Sequence, residues 1–124
     1  MYEVEITRDF SAAHNLRGYQ GNCSHLHGHN WTVQAVVRAR ELDAIGIAVD
    51  FRKLKNELNS ILETFDHTNI SELECFRQTN PTSENLARII YQRLTERIND
   101  ERVQVARVKV CESAGSGATY FEEE

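Results

Sequence analysis

Four of the five histidines fall between positions 14 and 29, and three of them crowd into Cys23-Ser-His-Leu-His-Gly-His29. His27 and His29 are two residues apart where an alternating pattern begins, so on a strand both side chains point to one face. Both imidazoles then reach a single ion, with Gly28 between them leaving room for close approach. His14 must come from a neighbouring strand. Adjacent strands lie about 4.8 Å apart and zinc–nitrogen bonds are about 2.0–2.1 Å long, so a site of His14, His27 and His29 across two paired strands is geometrically reasonable. Three neutral nitrogens leave a fourth tetrahedral position open, the catalytic pattern, whereas Cys23 as a fourth ligand would close the site into a structural one. Spacing does not separate these readings, and unrelated loop histidines are the plain alternative.

Cys23 precedes His27 by four residues, and a thiolate beside a dication has a depressed pKa and serves as a nucleophile or base. A small packing side chain is the other reading; Cys75 and Cys111 have no comparable neighbours and read as packing residues. Asp66-His67 pairs a carboxylate with an imidazole that it can orient, although a bare dipeptide of this kind also suits a solvated loop. Glu112 ends an apolar segment, and a carboxylate there needs a partner. A planar heterocycle rich in N–H groups satisfies it, and so does an internal arginine.

The elements that must carry these groups are legible as periods. Tyr2, Val4 and Ile6 alternate with Glu3, Glu5 and Thr7, and the parity continues through Phe10 and Ala12 to His14, predicting a strand with one wet face. A loop with Gly18 and Gly21 follows. From His27, the residues Trp31, Val33, Ala35, Val37 and Ala39 share one side, with Val36 out of pattern. Residues 45–49 are apolar and predict a short strand. Asp50 caps a helix whose buried stripe is Phe51, Leu54, Leu58, Ile61 and Leu62. Pro81-Thr82-Ser83-Glu84 starts a second helix, with a hydroxyl cap and an acidic first turn, carrying Leu86, Ile89, Ile90, Leu94 and Ile98 inward. Residues 103–112 and 118–121 are β-rich, separated by a Gly-Ser-Gly turn. Strands followed by helices and then strands predict an α+β fold on an antiparallel sheet.

The chain has 124 residues, 40% of them apolar, which fits one domain over residues 1–124 with a core of its own. Fourteen basic against nineteen acidic residues give a net charge of −5, which removes the default electrostatic case for a nucleic-acid partner. No apolar run approaches the roughly 20 residues that span a bilayer, and the amino-terminal residues lack the apolar stretch of a secretory signal. Three cysteines cannot all pair within one chain, so reduced thiols and a cytoplasmic location are expected.

Taken in order, Phe10-Ser-Ala-Ala-His14, Cys23-x-x-x-His27-Gly-His29, Asp66-His67, Pro81-Thr-Ser-Glu84-Asn85 and Glu112 resemble the 6-pyruvoyl tetrahydropterin synthase family over nearly the whole chain. The three-residue gap between Cys23 and the His-Gly-His run is most similar to the branch that makes 6-carboxy-5,6,7,8-tetrahydropterin for 7-deazapurine and queuosine biosynthesis. The resemblance implies a tunnelling fold, a four-stranded antiparallel sheet with two helices on one side, whose subunits join edge to edge into a trimeric barrel and stack as a dimer of trimers. It implies zinc on His14, His27 and His29, and a proton-transfer set of Cys23, Asp66 and His67. It also implies a pterin contact at Glu112, with Thr82, Ser83 and Glu84 in a pterin-contacting segment. His25 departs from many relatives and reads as a loop residue.

The implied reaction converts 7,8-dihydroneopterin triphosphate, with loss of triphosphate and acetaldehyde. Arg8, Arg17, Lys53 and Lys55 are among the cations available to the triphosphate. No external nicotinamide is expected, as no Gly-x-Gly-x-x-Gly run is present. A 6-pyruvoyl product from the same substrate is one alternative, and a non-catalytic zinc module is the other.

Overall fold

Two long strands, β1 (Tyr2–His14) and β2 (His27–Ala39), pair antiparallel along their whole length in a computed structural model that describes residues 1–123. Their alternation places Ile6, Phe10, Ala12 and His14 of β1 on the same buried face as Trp31, Val33, Ala35, Val37 and Ala39 of β2. Helix α1 (Phe51–Leu62) follows, capped as expected by the Asp50 carboxylate, which accepts from the Arg52 N–H at 2.8 Å. A two-residue strand β3 (Thr68–Asn69), helix α2 (Ser83–Ile98), β4 (Val103–Ser113) and β5 (Ser116–Tyr120) complete the order.

The sheet order is β3-β1-β2-β4-β5, with β3 parallel to β1 and every other pair antiparallel. It therefore has five strands, not the four expected, because β3 contributes only two bridges, to Ala12 and Ala13. Both helices cover one face, α1 over β1 and α2 over β4 and β5. Leu54, Leu58, Ile61 and Leu62 of α1 and Leu86, Ile90 and Leu94 of α2 bury their stripes there, whereas Phe51, expected in the α1 stripe, is exposed at the first position of the helix. At about 25 cal/mol per Å² of apolar area removed from water, this sandwich supplies the main driving force for folding.

The helix-free face is polar. Glu3 pairs with Arg38 at 3.2 Å and with Arg107 at 3.1 Å, and Gln34 donates to Glu5 at 2.9 Å. Val36, the residue out of pattern, lies on this face and is buried, beside an irregularity in the β2–β4 register.

The apolar run at 45–49 is not a strand. The Asp43 carboxylate accepts from the N–H groups of Ile45 and Ile47, and Gly46 takes a φ of 84°, which folds the segment into a turn. Gly117 has a steric reason: a Cβ there would fall 2.5 Å from the Cys111 sulfur.

Candidate metal centre and its surroundings

The β1–β2 register sets His14 directly opposite His27, and Ala12 opposite His29. The three imidazoles therefore converge at one end of the sheet, on the helix-covered side, with ring centroids 4.5–5.1 Å apart. Each offers one ring nitrogen to a cluster whose members all lie within 4.8 Å of one another. Trp31, the next residue of that row, is fully buried at the base; it lies 4.9 Å from His14 and 5.2 Å from His29 and donates to the Ala12 carbonyl. Nothing in the residue types of the cluster announced this tryptophan, although its parity with His27 and His29 did.

The second nitrogens are already committed. His14 Nδ1 is 2.8 Å from the Pro81 carbonyl and His27 Nδ1 is 2.7 Å from the His25 carbonyl, so in both rings the N–H sits at Nδ1 and Nε2 is the bare nitrogen. A backbone carbonyl on the far nitrogen fixes the tautomer and orientation of metal-ligating histidines. The Nε2 atoms of His14 and His29 are buried with no hydrogen-bond partner, an uncompensated cost that a bound ion removes. Burial also lowers the pKa of His14, against the opposing pull of the Pro81 carbonyl, and keeps the ring in its neutral, ligating form. These residues fit a metal ion. His25 takes part through its carbonyl, which its side-chain chemistry could not reveal.

Glu112 reaches the same place from β4. It sits where the β4–β5 register slips by one residue, and such an irregularity re-aims a side chain. Its carboxylate oxygen is 3.6 Å from His29 Nε2 and 3.9 Å from His14 Nε2. Gly28, by contrast, has no steric duty: a Cβ there would meet only the Ala12 carbonyl, at an ordinary 3.9 Å.

Cys23 lies half-buried in the turn Asn22–Ser24, its carbonyl accepting from the Leu16 N–H, and it is not a member of the nitrogen cluster. Thr82 caps α2, accepting from the Asn85 N–H at 3.1 Å, with Ser83 and Glu84 in the first turn. Since Pro81 immediately precedes this cap, the start of α2 closes over His14.

Asp66 and His67 are held on the edge of β1. Asp66 Oδ1 accepts from the Ser11 N–H at 2.9 Å, its other oxygen is 3.0 Å from His67 Nδ1, and the His67 N–H donates to the Ser11 carbonyl. The bond from Ser11 holds the Asp66 carboxyl below its ordinary range, helped by His67. His67 adopts a φ of 57°, a left-handed conformation uncommon outside glycine, and turns its ring into solvent. It stands at the rim of an open depression of about 440 Å³ that Ser11, Gly28, Asn30 and His29 also line.

Among the cations considered for the triphosphate, Arg17 is committed elsewhere: its guanidinium donates to the carbonyls of Phe76 and Thr79.

A two-helix layer on this sheet, with a three-histidine cluster at its end, defines a fold and site shared with known proteins. The profile described as 6-pyruvoyl tetrahydropterin synthase matches residues 3–123, and the chain belongs to that family. It is 38% identical over 97 residues to the 6-carboxy-5,6,7,8-tetrahydropterin synthase of Bacillus subtilis, covering 73% of this chain and 64% of that one. The enzyme of the same name from Aquifex aeolicus is 28% identical, with 98% of this chain and 99% of the relative covered. The structure of Caenorhabditis elegans 6-pyruvoyl tetrahydropterin synthase superimposes with a TM-score of 0.87 at 29% identity, over 98% of this chain and 96% of that one. The fold is thus the tunnelling fold of a pterin synthase family.

Proposed function

We propose that this protein is a zinc-dependent lyase that converts 7,8-dihydroneopterin triphosphate and one water to 6-carboxy-5,6,7,8-tetrahydropterin, acetaldehyde and triphosphate, in 7-deazapurine or queuosine biosynthesis. The observation that carries the reading is the convergence of three histidines with two bare, buried Nε2 atoms, in a chain similar to enzymes named for that product.

His14, His27 and His29 would hold the zinc. Bound there, the metal supplies Lewis acidity that makes adjacent C–H and O–H protons easier to remove. Cys23, in the loop joining the two ligand strands, acts as thiolate base at the substrate side chain. His67, oriented by Asp66, moves protons on the other side. Glu112 accepts from the N–H-rich edge of the pterin, a reading supported by its place beside the metal ligands, 3.6 Å from His29 Nε2. Thr82, Ser83 and Glu84, at the start of α2, contact the pterin; the N–H groups of this helix end also favour an electron-rich partner.

Subunits join edge to edge into a trimeric barrel, as a trimer or a dimer of trimers, which covers the free edges of β1 and β5. A cytoplasmic location is part of this reading, and the three free cysteines are compatible with it. Among the described residues no helix is long and apolar enough to cross a membrane.

Mass spectrometry of the product tests this assignment against 6-pyruvoyl tetrahydropterin, the other outcome from the same substrate. The expected ion is that of the 6-carboxy compound; a 6-pyruvoyl product would move the protein to the other branch.

A further inference from the structure

The orientation of His14 depends on a single backbone carbonyl that lies 67 residues away in sequence. That carbonyl belongs to Pro81, at the end of an irregular segment joining β3 to α2. Ile70 and Phe76 anchor the first part of this segment in the core. Between buried Phe76 and buried Pro81, however, Arg77, Gln78 and Thr79 are exposed and put no side chain into the core. Pro81 is itself buried, and the exposed residues before it are held in place by polar contacts.

Those contacts come from the residues just after His14. The Arg17 N–H donates to Asn80 Oδ1 at 3.0 Å, and Asn80 Nδ2 donates back to the Arg17 carbonyl at 2.9 Å. The Arg17 guanidinium spans the Phe76 and Thr79 carbonyls. One residue from the ligand, the Asn15 N–H donates to Ser71 Oγ at 2.9 Å. The Asn80 carbonyl in turn accepts from the Thr82 N–H at 2.9 Å and from Asn85 Nδ2 at 2.8 Å. These bonds brace the turn that leads into α2. Proline at position 81 fixes its own φ and restricts Asn80, and the Thr82 N–H bond back to the Asn80 carbonyl spans Pro81 and limits its ψ, so clamping Asn80 holds the Pro81 carbonyl toward His14 Nδ1.

We propose that Arg17 and Asn80 form a clamp that positions His14 as a metal ligand, Arg17 being a positioning residue and not a phosphate contact. The clamp acts by holding the Pro81 carbonyl on Nδ1, which keeps Nε2 bare and aimed at His27 and His29. The inference rests on the three-histidine metal site proposed above. Outer partners of ligating histidines change metal affinity by about 10–100-fold when removed, and the clamp acts at one further remove.

The test is zinc affinity, measured by chelator competition on the purified full-length chain, with the visible d–d spectrum of the cobalt-substituted protein as a second readout. Asn80→Ala and Arg17→Lys are compared with wild type and with Leu94→Ala, a core variant in α2 that lowers stability without touching the clamp. Asn80→Ala removes both side-chain bonds; Arg17→Lys keeps the charge but loses the fork. The clamp predicts that both variants bind zinc about tenfold more weakly, with an altered cobalt spectrum, while Leu94→Ala keeps wild-type affinity and spectrum at a reduced melting temperature. Should Asn80→Ala fail to fold, Asn80→Asp, which retains the acceptor for the Arg17 N–H and loses the donor, carries the same comparison. Unchanged affinity in the clamp variants, or an equal loss in Leu94→Ala, overturns the proposal. A wild-type protein that binds no metal would instead refute the metal site itself.

Discussion

At the scale of single residues, His14 and His27 show why spacing alone left two zinc readings open. Both are ordered by carbonyls, of Pro81 and His25, that no pattern of residue types encodes. Cys23 stays outside the nitrogen cluster, and this favours the open site over the closed one. His27→Ala is therefore expected to lower zinc affinity by more than the roughly 10–100-fold typical of outer partners; isothermal titration with zinc measures it, and retained stoichiometric binding would remove His27 from the ligand set. Cys23→Ala makes the complementary prediction. If the thiol is a base, the variant keeps its zinc while turnover falls by about 10²–10⁴-fold, read from metal analysis and steady-state kinetics on one preparation. Joint loss of zinc and fold would restore Cys23 as a ligand.

At the scale of elements, the Asp66-His67 pair shows how β1 serves two purposes. Its buried parity presents His14, and the backbone of Ser11, three residues earlier, anchors Asp66 and His67. The Ser11 N–H, and then His67, depress the Asp66 pKa below its ordinary 3.8. A depressed carboxylate contributes stability that is fully present above the unfolded value and lost as pH falls through the lower folded one. Asp66→Asn is thus expected to melt below wild type at neutral pH, with the two curves converging well below pH 3.8; a gap that persists in acid would show that the charge is not what anchors β3. The periods of β1, β2 and α1 and the caps at Asp50 and Thr82 were legible because they are local, each set by neighbours within a few residues. Strand β3 was not, since two residues carry no period. The run at 45–49 misled because its apolar character suits a strand, whereas the Asp43 carboxylate and the left-handed Gly46 decide its backbone. At the site, the grouping of His14, His27 and His29 was legible from parity, and the long-range bonds from Pro81 and Asn80 were not.

At the scale of the whole molecule, the metal cluster and the Asp66-His67 pair share one depression, lined by both His29 and His67, but differ in exposure. His14 is buried beneath the start of α2 and His27 and His29 are partly exposed, while the His67 side chain is 82% exposed. The free β1 and β5 edges and the polar helix-free face suit an assembly in which one copy's His67 serves a neighbour's Cys23. Mixing Cys23→Ala with His67→Ala under subunit exchange is then expected to restore part of the activity, because some interfaces join an intact Cys23 to an intact His67. Exchange without recovery would place all the groups within one chain. If the three-histidine centre drives cleavage of a pterin side chain, that cleavage depends on the bound metal. The most direct measurement is acetaldehyde released from 7,8-dihydroneopterin triphosphate by the purified protein, before chelation, after it, and after zinc is returned. Release is expected to stop on chelation and resume with zinc; release undiminished in the metal-free protein, or none from the fully loaded one, would rule out the three-histidine centre as its cause.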